Sequence, residues 1–122
     1  MTAIFLTNDL LFSSKVSSAA DGLKLPLEIA MSLPKLLERA AGQDVKLIIL
    51  DLAFHGCEPA QLVPQLRQLA PAAKLIAYGP HVQDAPLIAA QTAGCDEVLT
   101  RGQFNMVAPA ILRRYLAGGF SA

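Results

Sequence analysis

Short apolar runs alternate with stretches of helical periodicity along the whole of the 122-residue chain, and few folds accommodate that alternation. The runs Ala3 to Leu6, Leu25 to Ala30, Val45 to Asp51, Ala73 to Tyr78 and Glu97 to Thr100 read as strands. After the first, Thr7-Asn8-Asp9 supplies an N-cap at Asn8 or Asp9 for a helix carrying Phe12, Val16, Ala19 and Leu23, with Gly22 near its end. Ser32 caps a second helix, with Leu33, Leu36, Leu37 and Ala40 on one face and Gly42 as its stop. Glu58 to Ala70 gives a third, carrying Leu62, Val63, Leu66 and Leu69 and interrupted or bent near Pro64. Asp84 to Ala93 gives a fourth, ending at Gly94. Met106, Val107, Ala110, Ile111 and Tyr115 form the apolar stripe of a fifth, stopped by Gly118-Gly119.

Parallel strands need crossover connections, and helices supply them. The alternation therefore predicts an α/β fold, a doubly wound parallel sheet with helices on both faces and right-handed crossovers. Pro26 cannot donate to a ladder, so the second strand is expected at an early or edge position. Apolar residues make up 53% of the chain and charged residues 16%, which suits one compact domain over residues 1–122.

Ten Lys and Arg balance ten Asp and Glu, and Arg113-Arg114 is the one basic pair, so no field favours nucleic acid as a partner. Cys57 and Cys95 are too few for a zinc ribbon and read as free thiols; no metal site is expected. No run approaches the ~20 apolar residues of a membrane span, and the N-terminus lacks a leader pattern. A cytoplasmic protein without a membrane partner is the expectation.

The third strand, Lys46-Leu47-Ile48-Ile49-Leu50-Asp51-Leu52, ends on a carboxylate. Ligands gather at the carboxyl ends of strands in open parallel sheets, so Asp51 is the first candidate functional residue. The competing reading is a strand-end acid that accepts hydrogen bonds from neighbouring backbone amides.

The segment from Leu47 to Gly56 resembles the third strand and following loop of response-regulator receiver domains, the CheY-like family, with His55 where proline is usual. The stretch Ala89 to Arg101 is similar to that family's fourth helix and fifth strand, with Arg101 in place of the terminal lysine. The resemblance covers essentially the whole chain. It implies a three-layer, flavodoxin-like (βα)5 fold with strand order 2-1-3-4-5, and Asp51 as phosphoacceptor. The acid pair that holds Mg²⁺ in receivers is matched by Thr7-Asn8, with Asp9 one residue later; the phosphoryl-binding hydroxyl by Gly79; the aromatic switch residue by Val98. Asn8 offers only a neutral carbonyl, so Mg²⁺ affinity should be weak and no cofactor is expected. Arg101 keeps the lysine's charge with a different shape, and a pairing of Arg101 with Asp51 would mimic one switch state.

These departures imply a degenerate receiver: a stand-alone signalling module of a two-component-type pathway, not an enzyme, independent of phosphorylation and acting through protein contacts or homodimerisation. The fourth helix, fifth strand and fifth helix form the candidate partner face, with Phe104, Met106, Arg113, Arg114 and Phe120 nearby. The alternative is a divergent regulator phosphorylated at Asp51. A third reading is a small enzyme or ligand-binding protein using loops bearing Asp9, His55 and His81. Cys57 beside His55 could in principle be a nucleophile, although an inert thiol is the simpler reading. The isolated glycines match no phosphate-cradling loop.

Overall fold

The computed structural model describes residues 2–42, 44–80 and 84–116. The elements run β1 (Thr2–Leu6), α1 (Leu10–Leu23), β2 (Leu27–Ala30), α2 (Leu33–Gly42), β3 (Val45–Asp51), α3 (Pro59–Leu69), β4 (Lys74–Gly79), α4 (Asp84–Ala93), β5 (Glu97–Thr100) and α5 (Arg101–Leu116). The strands form one sheet in the order β2-β1-β3-β4-β5, and every neighbouring pair is parallel. This is the flavodoxin-like order expected. His81, Gly118, Gly119 and Phe120 lie outside the described residues.

The period of two along each strand sends alternate side chains to opposite cores. Ile4, Leu6, Ile48, Leu50, Leu75 and Ala77 meet Leu36, Leu62, Val63, Leu66 and Ala90 of α2, α3 and α4. Ala3, Phe5, Leu47, Ile49, Ile76 and Tyr78 meet Phe12, Val16, Ala20, Phe104, Ala108, Ile111 and Leu112 of α1 and α5. Burial on both faces explains why the central strands read as unbroken apolar runs. At the centre of the second core, Phe5, Phe12, Tyr78 and Phe104 pack together, Tyr78 stacked on Phe104 with centroids 4.7 Å apart.

Several boundaries differ from the sequence reading, each for a local reason. β2 begins only after Pro26 and pairs with β1 alone, the edge position predicted. Gly22 lies near the end of α1 as expected, and Lys24 caps the helix in the left-handed conformation at φ 58°. Pro64 lies inside an uninterrupted α3.

The largest change is in α5, which begins at Arg101, directly after β5. Thr100 and Gln103 build a capping box: the Thr100 N–H donates to Gln103 Oε1 at 2.9 Å, and the Gln103 N–H donates to Thr100 Oγ1 at 3.1 Å. The helix phase set there buries Phe104, Ala108, Ile111, Leu112 and Leu116. It leaves Met106, Val107 and Ala110 exposed, so the stripe expected through those three is not the core face, and Phe104 belongs to the core rather than to a surface.

The far end of the sheet is pinned by Arg67, which donates to the Ala73 and Gly94 carbonyls and pairs with Asp96 at 3.1 Å. Asp96 Oδ2 also accepts from the Leu75 N–H at 2.8 Å. Partial burial pushes the Asp96 carboxyl up, but the Leu75 amide and Arg67 outweigh it and hold the group below the usual carboxylate range.

Candidate functional site

The chain moves outward from β1 to β2 and then returns to the other side of β1 as β3, so the carboxyl ends of β1 and β3 flank the switch point where ligands gather in such sheets. Leu6 and Leu50 are register partners. The next residue on each strand is therefore Thr7 and Asp51, and both side chains are buried.

Asp51 is satisfied locally by uncharged donors. The Thr7 hydroxyl donates to Oδ2 at 2.7 Å, and the Ala53 N–H donates to Oδ1 at 2.9 Å as the chain turns out of β3. Thr7 is itself tied down, its hydroxyl accepting from the Asp9 N–H at 3.1 Å and its own N–H donating to the Ala30 carbonyl.

Asp9 is the N-cap of α1. Its Oδ1 accepts from the Phe12 N–H at 3.0 Å, and its Oδ2 receives the guanidinium of Arg101. The same guanidinium lies over the Phe12 ring, 4.4 Å from the centroid. The expected pairing of Arg101 with Asp51 is not made. Asp51 is buried and already hydrogen-bonded, whereas Asp9 sits at the half-exposed mouth, where an ion pair forms without stripping both charges of water.

The remaining acid-pocket positions are brought to the same end of the sheet but present little chemistry. Asn8 is exposed. Gly79 closes β4 opposite Thr100, and a Cβ there would meet Leu52 at 3.4 Å and Leu87 at 3.5 Å. The corner that a phosphoryl-binding hydroxyl occupies in receivers is thus walled by leucines. Val98 is half-buried against the helix α2 to α4 core.

Receiver chemistry implies Mg²⁺, and the donors here do not fit it. Magnesium takes carboxylate and phosphate oxygens in near-octahedral array. Both oxygens of Asp9 and both of Asp51 already accept hydrogen bonds, and no group of three His, Cys, Asp or Glu stands together among the described residues.

Tyr78 was not singled out by the sequence, although it is the register partner of Asp51. Its hydroxyl is buried and has no hydrogen-bond partner among the described residues. Burial, with Asp51 adding to it, raises its pKa, so it stays a neutral phenol. Burial likewise pushes the Cys57 thiol up to about 12, reinforced by Asp51, and the Cys95 thiol to about 11. Burial that disfavours the thiolate supports the inert-thiol reading of Cys57, and His55 is exposed on the β3 to α3 loop.

No protein-family model matches the chain, and no curated protein matches it in sequence. Solved structures match it in fold. A response regulator from Burkholderia pseudomallei, with a phosphorylated aspartic acid and a calcium ion, superposes with TM-score 0.78 at 17% identity over 93% of this chain, which spans 66% of that chain. The receiver domain of a sensor histidine kinase from Pseudomonas aeruginosa, with magnesium in its active-site cleft, gives 0.77 at 13% identity over 96% of this chain and 98% of that one. The receiver domain of a Saccharomyces cerevisiae response regulator, crystallised with its histidine phosphotransfer partner, gives 0.76 at 14% identity over 96% and 89%. The chain has the receiver fold.

Proposed function

We propose that this receiver-fold chain is a signalling module of a two-component-type pathway that works through protein contacts and without phosphorylation of Asp51. The observation that carries this reading is the engagement of both carboxylates: Asp9 caps α1 and pairs with Arg101, while Asp51 accepts from the Thr7 hydroxyl and the Ala53 N–H. Phosphoryl transfer depends on positioning and on neutralising charge spread over the transferred group; here Thr7 and Asn8 stand at the acid-pair positions, Gly79 carries no hydroxyl, and Arg101 is paired with Asp9.

A partner surface is offered by α4, β5 and α5. Ile88 is 59% exposed and Met106 82% exposed, beside Val107 on the same helix. The yeast receiver domain with its phosphotransfer protein is a protein complex of a chain with this fold, which supports a protein partner here.

The test is capture of partners from a lysate of the source cells by immobilised protein. Wild type and Asp51→Asn should retain the same partner, and Met106→Asp should lose it. A partner held by wild type only after treatment with a phosphodonor, and never by Asp51→Asn, would replace this reading with that of a divergent phosphorylated regulator.

A further inference from the structure

A cavity of about 420 Å³ opens at the carboxyl end of the sheet between α1, the end of β4 and the start of α5, lined by Phe12, Lys15, Pro80, Arg101, Gly102 and Asn105. Its size is in the range that holds small organic ligands. Asp51 does not line it, so it is separate from the phosphoacceptor position. A second depression of about 120 Å³ shares Lys15 and Asn105 and continues along the groove between α1 and α5, walled by Val16, Ala19, Ala108 and Pro109. The two together have a polar mouth and an apolar extension.

The mouth carries positive charge. Lys15 has no charged partner among the described residues, and Arg101 shares only its Nη2 with Asp9 while its guanidinium is held in place by the Phe12 ring. A guanidinium has five donors, so one ion pair leaves others to offer. Gly102 stands in the first turn of α5, where a Cβ would meet nothing within 4 Å, so the backbone there is open to an approaching group. Asn105 adds an amide one turn further on. The positive end of the helix reinforces the two side-chain cations.

We propose that this cavity binds a small organic phosphate, its anionic head between Lys15 and Arg101 and its apolar part along the groove between α1 and α5. Asp9 offsets part of the Arg101 charge, yet Lys15, the remaining guanidinium donors, an amide and a helix start still suit an anionic head better than a neutral one, and the apolar groove distinguishes an organic phosphate from the free ion.

The test is a titration of the isotope-labelled protein with phenyl phosphate and with adenosine monophosphate, followed by backbone amide shifts, with inorganic phosphate, phenol and adenosine as controls. At least one of the two organic phosphates should give saturable shifts at Lys15, Gly102 and Asn105, with phenol and adenosine silent and inorganic phosphate binding more weakly. Lys15→Gln, an exposed substitution that leaves the fold intact, should weaken binding about tenfold. No saturable shift from either organic phosphate in the millimolar range would overturn the assignment, as would unchanged affinity in Lys15→Gln. Inorganic phosphate binding as tightly as both would overturn the organic part of it and leave a bare anion site.

Discussion

The Thr7 hydroxyl donates to Asp51 Oδ2 at 2.7 Å across the switch point between β1 and β3, joining the first position of the acid pocket to its central carboxylate. In a receiver with an acid at that first position, two carboxylates would repel there and be held together by a metal. Here a hydroxyl takes the acid's place, and the contact is attractive without any ion.

Thr7→Val keeps the shape of the side chain and removes the donor. A buried carboxylate left short of one hydrogen bond destabilises the fold by about 1–3 kcal/mol. Urea denaturation should show that loss, and the double variant Thr7→Val with Asp51→Leu should recover most of it, because the orphaned acceptor is gone. A Thr7→Val variant as stable as wild type would mean that the bond contributes nothing.

Tyr78 presents the opposite case. Its hydroxyl is buried without a hydrogen-bond partner among the described residues, while its ring is stacked on Phe104 and edge-on to Phe12. Tyr78→Phe keeps the packing and removes the unsatisfied group, so stability should be unchanged or rise by about 1 kcal/mol. Phe104→Ala, which opens a cavity in the same cluster, should cost about 3–5 kcal/mol. Thermal denaturation of the two variants side by side separates the polar group from the ring.

Cys57 gives the fold an alkaline limit. Its thiol is raised from 9.0 to about 12, by burial first and by Asp51 next. A group whose pKa is higher in the folded state contributes stability in full below its unfolded value and loses it as pH rises through the folded one. Urea midpoints should therefore fall between pH 9.0 and about pH 12, and fall less steeply in Cys57→Ala. Equal slopes for the two proteins would place the alkaline loss elsewhere, on Cys95 or Tyr78, whose pKa values are also raised.

The architecture was legible because parallel strands buried on both faces leave apolar runs that no surface helix shares, and β1, β3 and β4 all carry one. The face of α5 was not. An apolar stripe through Met106, Val107 and Ala110 ignores the start of the helix, and the signal that fixes it, Thr100 three residues before Gln103, is a capping box that shifts the phase onto Phe104, Ala108 and Ile111. At the site, strand spacing alone brings Asp51 beside Thr7. Arg101 could not be placed that way: its choice between Asp9 and Asp51 depends on which carboxylate is exposed, a property of the packed structure. Lys15 lies three residues after Phe12, on a neighbouring strip of α1, yet only the arrival of α5 beside it makes a cavity.

Whether Asp51 is the structural acid proposed above or a phosphoacceptor is decided by intact mass after incubation with acetyl phosphate and Mg²⁺, with Asp51→Asn as control. No adduct is expected under conditions that label a competent receiver domain in the same tube. A single labile phosphoryl adduct on wild type, absent from Asp51→Asn, would contradict the proposed structural role.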